Sequence, residues 1–488
     1  MSLDFKQMDA LEIARLIKGK QITPLEAVDH AIKMIEQENS NVNAVVHTWF
    51  DEAREYAKNF KHFDAPFAGV PILVKDLGQT LKGMPSTSGA RLMKDYKAEV
   101  TSNFVQRLLD AGFIILGNTN ICEFGMKFIS DCELFGTTKN AIKHGFHAGG
   151  SSGGAASAVQ SGMVPLAGAS DGGGSIRIPA SFQGLIGLKP TRGRIATGPE
   201  KWRGWAGCSI DFAVTQTIRD TEALLMSMQG SLNPMPFKVK NLTQDQMQKA
   251  KEQVSSLRIA YSTETPTGTP VSDDAIRAVK ELAEHLQMLG FSVEEAKPNY
   301  PKRDLVDDYY LVLGAETSAA FKMMEEQIGR PIEIGDVERQ TWAWNEYGKT
   351  IPAWKYTDRL DVWDQLAKNM DDFYEDYDIL LQPSTAFPAP ELDKALFTED
   401  LASQLKHADQ YSESELSELM YAANKMGTYY SPFNYIYNIT GQPALGLPTY
   451  TCPNGLPLGV QCVGRFGRED QILALGERIE ASGLLQRY

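Results

Sequence analysis

Two short runs of glycine and serine hold the residue types with most chemical promise: Gly149-Gly-Ser-Ser-Gly-Gly-Ala155 and Asp171-Gly-Gly-Gly-Ser-Ile-Arg-Ile-Pro-Ala180. At ordinary Gly and Ser usage the first hexapeptide has a chance frequency on the order of 10⁻⁷ per position. A flexible linker has such a composition. Here, though, the flanks (Ala155 to Val159, Met163 to Ala169) are apolar and continuous, without the composition shift of a domain boundary. Glycines lack a Cβ, admit positive φ, and let successive backbone N–H groups converge on one point. Such a nest holds negative charge and stabilises the oxyanion of acyl transfer. A serine beside it is a nucleophile candidate. Phosphate binding is the rival use of a glycine loop, but neither the P-loop pattern nor GxGxxG occurs in these runs.

Both Gly149-Gly-Ser151-Ser-Gly153 and Gly150-Ser-Ser152-Gly-Gly154 match the GxSxG nucleophile elbow. That elbow follows a strand and needs an acid and then a histidine further along the chain. The preceding text, Lys143-His-Gly-Phe-His-Ala148, is not strand-like, and the downstream histidines, His285 and His407, lie in acidic helical stretches. A Ser-His-Asp triad is therefore not expected. His144 and His147 form an HxxH pair with no third metal ligand placed. Another base has to serve.

The wording around the two runs resembles the amidase signature family of serine hydrolases, which use a Ser-Ser-Lys triad. The matching text is Gly69-Val-Pro-Ile-Leu-Val-Lys75-Asp76, Gly149 to Gly154, Ser170 to Ala180, and Gly187-Leu-Lys-Pro-Thr-Arg-Gly193. Pro432-Phe-Asn434, Gly441-Gln-Pro443 and Gly455-Leu-Pro-Leu-Gly-Val-Gln461 resemble the family's closing segments. Within the family, Gly329-Arg-Pro331 and Asp336-Val-Glu338 are similar to the 6-aminohexanoate cyclic-dimer hydrolases. The resemblance implies Ser175 as nucleophile, Ser151 as bridging serine after a non-proline cis peptide, and Lys75 as base. It further implies an oxyanion hole from the backbone N–H groups of Gly172, Gly173, Gly174 and Ser175, with Asp171 and Arg177 as a loop-shaping pair. Ser152 reads as a backbone-bonding loop residue. The segment Gly117-Asn118-Thr119-Asn120 departs from the family's usual Gly-Lys-Thr-Asn, Ser170 stands where threonine is common, and Gly172 takes a variable position. None of these touches the triad.

The implied base makes physical sense. A lysine accepts a proton only when neutral, so its pKa must fall from about 10.4 toward the working pH. The run Val70 to Val74 places Lys75 at the end of a buried strand, where desolvation lowers it.

These residues need a scaffold. Thr23-Pro24-Leu25-Glu26 is a capping box with proline at the first helical position, and the first sixty residues read as helices. Gly69 to Val74 is a buried strand, Phe104 to Ala111 a helix stopped by Gly112, and Phe113 to Leu116 a second strand. Leu257 to Tyr261, Asp273 to Leu289 (capped by Ser272 or Asp273) and Phe291 to Glu294 repeat that order, which argues for parallel pairing. Residues 300–430 are mostly helical, aromatic-rich and acidic, with Gln382 to Pro390 a loop or extended segment. Trp342, Trp344, Tyr347, Trp354, Tyr356 and Trp363 read as core and lid packing, with a substrate-gripping face as the alternative. Strand-like and loop-like text returns from Pro432 to Val463, and a last helix fits Gln471 to Ala481. The expected fold is one large α/β domain over 1–488, with a mixed, mostly parallel sheet flanked by helices. Its expected parts are N-terminal helices (1–64), the catalytic core (65–230), a helical insertion (300–430) and a C-terminal return to the core (431–488).

Composition narrows the function. With 48 basic against 62 acidic residues the net charge is −14, which disfavours nucleic acid and anionic membranes as partners. No apolar run nears the roughly 20 residues of a membrane span, and Met1-Ser-Leu-Asp-Phe-Lys6 lacks the features of a signal peptide. A cytoplasmic setting is expected. The five cysteines, without CxxC spacing, read as reduced packed thiols. The resemblance implies hydrolysis of a linear or cyclic carboxylic amide through an acyl-enzyme, with a small-molecule substrate and neither cofactor nor metal; a homodimer is compatible. Two alternatives stay open: the amidase subunit of a tRNA-dependent amidotransferase, and a non-catalytic binding protein on the same fold.

Overall fold

Pro71-Ile-Leu-Val-Lys75 is buried at every position, the continuous apolar pattern of a strand covered on both faces. It belongs to a computed structural model that describes residues 3–301, 303–394 and 396–488. Among the described residues eleven strands form one sheet: β1 (Val45–Thr48), β2 (Pro71–Lys75), β3 (Ile114–Thr119), β4 (Ala167–Asp171), β5 (Ile186–Lys189), β6 (Ile210–Thr215), β7 (Arg258–Tyr261), β8 (Ser292–Glu295), β9 (Ile379–Pro383), β10 (Ala444–Thr451) and β11 (Pro457–Gly464). Their spatial order is β1-β3-β2-β4-β6-β5-β10-β11-β9-β7-β8.

The fold is the expected single α/β domain with a large mixed sheet flanked by helices. Both strand–helix–strand units pair in parallel, β2 with β3 and β7 with β8. The expected excess of parallel pairs needs correction. Six strand pairings are antiparallel and four parallel. The reason lies in the second half of the chain. A short turn joins β10 to β11, which forces a hairpin, and that hairpin docks antiparallel between β5 and β9.

Helices form where their ends are chemically marked. Thr23 and Glu26 complete the capping box of the helix Pro24–Val42, and Ser272 caps Asp273–Met288. Gly112, at φ +97, ends Asn103–Asp110 where a Cβ would meet Ala65 and Ala68. The N-terminal region is not wholly helical: β1, missed because its four residues alternate only weakly, lies at the sheet edge. The 300–430 region carries the helices Leu305–Ile328, Arg339–Thr350, Ala353–Asp376, Glu399–Lys406, Glu413–Ala423 and Lys425–Tyr430, and also the buried strand β9. A second apolar cluster containing Tyr309, Trp344, Trp363 and Ile436 fastens these helices to Leu380, Ala444 and Val463 of the sheet. The described residues contain no helix long and apolar enough to cross a membrane, and all five cysteines are buried free thiols.

Candidate active site

Lys75 ends β2 beside the C-terminal end of β4, with which β2 runs parallel. Its side chain is 1% exposed. Nζ lies 2.7 Å from Ser151 Oγ, 2.9 Å from Ser170 Oγ and 3.3 Å from the Ser170 carbonyl. Burial strips water from the ammonium and brings Lys75 down to about 8, opposed by the negative charge of neighbours such as Asp211 and Asp171.

Ser151 follows a cis peptide bond from Gly150. Gly150 is pressed against the Ile129 backbone, where a Cβ has no room. Ser130 pins this loop: its Oγ reaches the carbonyls of Gly149 and Ser151 at 3.0 and 3.1 Å and accepts from the Gly153 N–H at 2.9 Å. The helix Gly153–Gln160 then starts, and Gly154 sits directly on the backbone of Asn120 and Ala44. Small residues are required because helix and sheet backbones nearly touch. Ser152 Oγ bonds the Ser170 backbone at 3.3 Å, as the sequence reading anticipates.

Asp171 closes β4, and Gly172 to Ser175 form the turn into the helix Arg177–Gln183. Asp171 and Arg177 are fully buried and joined by two 3.0 Å hydrogen bonds. Burial alone would raise the Asp171 carboxyl; the charge and hydrogen bonds of Arg177 overcome this and hold it near about 2. Arg177 also donates to Gln461 on β11 and to Asn438 Oδ1, while Asn438 Nδ2 donates to the carbonyl and carboxylate of Asp171. Asn434 and Asn438 lie on a short helix, Asn434–Thr440, within text read as strand and loop. Their i, i+4 spacing was the available signal.

One expectation fails here. The Gly174 N–H donates to Asp171 Oδ1 at 2.7 Å, so it is spent on the loop and cannot serve an oxyanion. Asp171 is the nearest strong acceptor to that turn, and it captures the donor. The N–H groups of Gly172, Gly173 and Ser175 make no hydrogen bond within the chain among the described residues. Tyr309, from the helix Leu305–Ile328, donates to the Gly172 carbonyl at 2.8 Å. A Cβ on Gly173 would lie 2.6 Å from Tyr309 Oη, and one on Gly172 2.7 Å from the Trp205 ring.

Ser175 is half-buried and lines a cavity, and its hydroxyl bonds no group among the described residues. Gly125 lines the same cavity, and a Cβ there would lie 3.1 Å from Ser151 Oγ. Lys75 and Ser151 are thus hydrogen-bonded behind Gly125, while Ser175 lines the cavity and has no direct bond to either. Of the aromatic run, Trp344 lines the cavity; Tyr347 and Trp363 are core, and Trp354 is exposed. Sequence reasoning missed Ser130, Tyr309, Asn434 and Asn438, and weighed Ser170 only as a departure. Among the described residues no histidine lines the cavity. His144 is exposed, and burial pushes His147 down to about 4. The described residues contain no group of three His, Cys, Asp or Glu suited to a metal ion.

A family model described as Amidase matches residues 26–473. The chain belongs to the amidase family. It is 38% identical over 98% of its length to a lipoamidase of Enterococcus faecalis, of which it spans 63%. It is 31% identical to the 6-aminohexanoate-cyclic-dimer hydrolase of Paenarthrobacter ureafaciens, covering 97% of this chain and 94% of that one. A solved 6-aminohexanoate cyclic dimer hydrolase complexed with substrate superposes with a TM-score of 0.88, at 31% identity over 99% and 98% of the two chains. These relatives are named as an amidase and as a hydrolase.

Proposed function

We propose that the protein hydrolyses a carboxylic amide, linear or cyclic, with Ser175 as nucleophile, Ser151 as relay and Lys75 as base. The observation that carries this reading is the buried 2.7 Å contact between Lys75 and Ser151 behind the cavity wall that holds Ser175. With Lys75 neutral, the Ser151 hydroxyl donates to Nζ and accepts the Ser175 proton as Ser175 attacks the carbonyl carbon. The oxyanion takes N–H groups of Gly172, Gly173 and Ser175. Lys75 returns the proton through Ser151 to the leaving nitrogen, and water repeats the sequence on the acyl-enzyme. Asp171, held by Arg177 and Asn438, shapes the glycine turn and takes no part in the chemistry. The insertion shapes the far side of the pocket. Five buried free thiols support a reducing, cytoplasmic setting.

A fluorophosphonate mimics the tetrahedral adduct and should label Ser175 alone, as read by peptide mass spectrometry. Labelling at Ser151 or Ser152 instead would overturn the assignment.

A further inference from the structure

Lys127 is the one charged residue lining the cavity among the described residues. Its ammonium is already taken: Nζ lies 2.6 Å from Asp131 and 2.8 Å from Glu338, with the lysine side chain 10% exposed. Glu338 comes from the insertion, just ahead of the helix Arg339–Thr350. Its backbone N–H donates to Glu123 at 2.8 Å, and its other carboxylate oxygen accepts from the Glu133 N–H at 2.8 Å. Burial would lower Lys127, but Asp131 and Glu338 hold it charged, well above the ordinary lysine range. Burial and the neighbouring Glu338 push Glu123 up to about 7, so Glu123 is the group that absorbs the crowding. One ammonium thus faces two carboxyl groups.

The rest of the wall is neutral. Met126, Phe128, Ile178, Leu313, Trp344 and Tyr435 supply apolar surface. Among the polar lining groups Gln340 donates to Asn424 Oδ1 at 2.8 Å and Tyr310 Oη lies 2.8 Å from Thr428 Oγ1, while Tyr435 Oη and Trp344 Nε1 have no partner among the described residues; these are neutral donors and none carries a charge. A carboxylate entering this cavity would lose its water and meet no free cation. It could approach Lys127 only as a third carboxylate on an ammonium already shared by Asp131 and Glu338, against the repulsion of both.

Resting on the assignment of Ser175 as nucleophile, we propose that the substrate is an amide with an extended, uncharged acyl arm. Asp131 and Glu338, by neutralising Lys127, are the specificity-determining residues that exclude arms ending in a carboxylate.

The test compares hexanoyl p-nitroanilide with its ω-carboxylate counterpart, the mono-p-nitroanilide of adipic acid. Rates are normalised to the fraction of Ser175 that a fluorophosphonate labels. The wild type should favour the neutral arm by at least about 10²-fold in kcat/KM, as expected for an unpaired buried charge, with most of the difference in KM. Glu338→Gln, or Asp131→Asn if the first fails to label, frees part of the Lys127 charge. Either should raise the carboxylate's kcat/KM relative to the neutral arm by about tenfold or more. Binding of hexanamide and of adipamate to the Ser175→Ala variant, followed by tryptophan fluorescence, reads the same preference without turnover. Equal use of the two arms by the wild type, equal binding, or an unmoved ratio in a labelled variant would overturn the proposal. Hydrolysis of neither anilide by untreated enzyme, when a parallel sample shows Ser175 fully reactive toward the fluorophosphonate, would overturn it too. Absent labelling with neutral-selective binding would instead count against Ser175 alone.

Discussion

Lys75 has almost no water around it, and that single fact sets the expected pH behaviour. Only the neutral amine accepts a proton, and burial brings the group down to about 8. Below that value kcat/KM should fall by about tenfold per pH unit, and above it the rate should level off. A profile flat between pH 6 and 9 would remove Lys75 as the base. Lys75→Ala should cost at least the roughly 10²–10⁴-fold typical of losing a general base. Lys75→Arg should not rescue activity, because a guanidinium stays protonated at any working pH. Ser151→Ala should cost as heavily, and the double variant little more, since the two act as one unit. Ser170→Ala removes a 2.9 Å partner of Nζ without cutting the relay, so its signature should be a displaced acid limb and a smaller loss of rate.

At the scale of elements, the glycine turn is held between two helices brought from distant parts of the chain. Tyr309 approaches Gly173 so closely that Gly173→Ala would place a Cβ 2.6 Å from its hydroxyl. That variant should lose activity sharply, and adding Tyr309→Phe should restore part of it by relieving the contact; kinetics of the single and double variants check this. Asp171 and Arg177 tie the same turn to β11 and to the helix Asn434–Thr440. Arg177→Met would strand a buried carboxylate and should cost about 3–5 kcal/mol of stability, measured by urea unfolding. Asp171 is held near about 2, below its unfolded value. Its stabilising contribution is therefore complete at neutral pH and lost as pH falls below the ordinary aspartate range.

Over the whole molecule, the glycine-serine loops lie at the sheet and the 300–430 region closes the cavity over them; with Ser175 as the proposed nucleophile, the rate should not depend on a bound metal. Chelators should leave the rate unchanged, and the paired replacement of His144 and His147 should leave an active enzyme; loss of activity on chelation, reversed by zinc, would sink the serine mechanism. Much of the site was legible in the sequence because acyl transfer needs rare local wording. Glycines with no room for a Cβ, a serine at a helix-starting turn and a lysine at the end of a buried strand are each constraints written within a few residues of sequence. Helix caps and the two strand–helix–strand units were legible for the same reason. Tertiary structure decided what depends on partners far along the chain. The β10–β11 hairpin made the sheet more antiparallel than its first half suggests. Asp171 captured the Gly174 N–H. Tyr309, Asn438 and Glu338 reached the site from more than a hundred residues away. A local pattern records what a backbone segment can adopt, whereas which donor meets which acceptor is decided only once distant segments compete for the same buried volume.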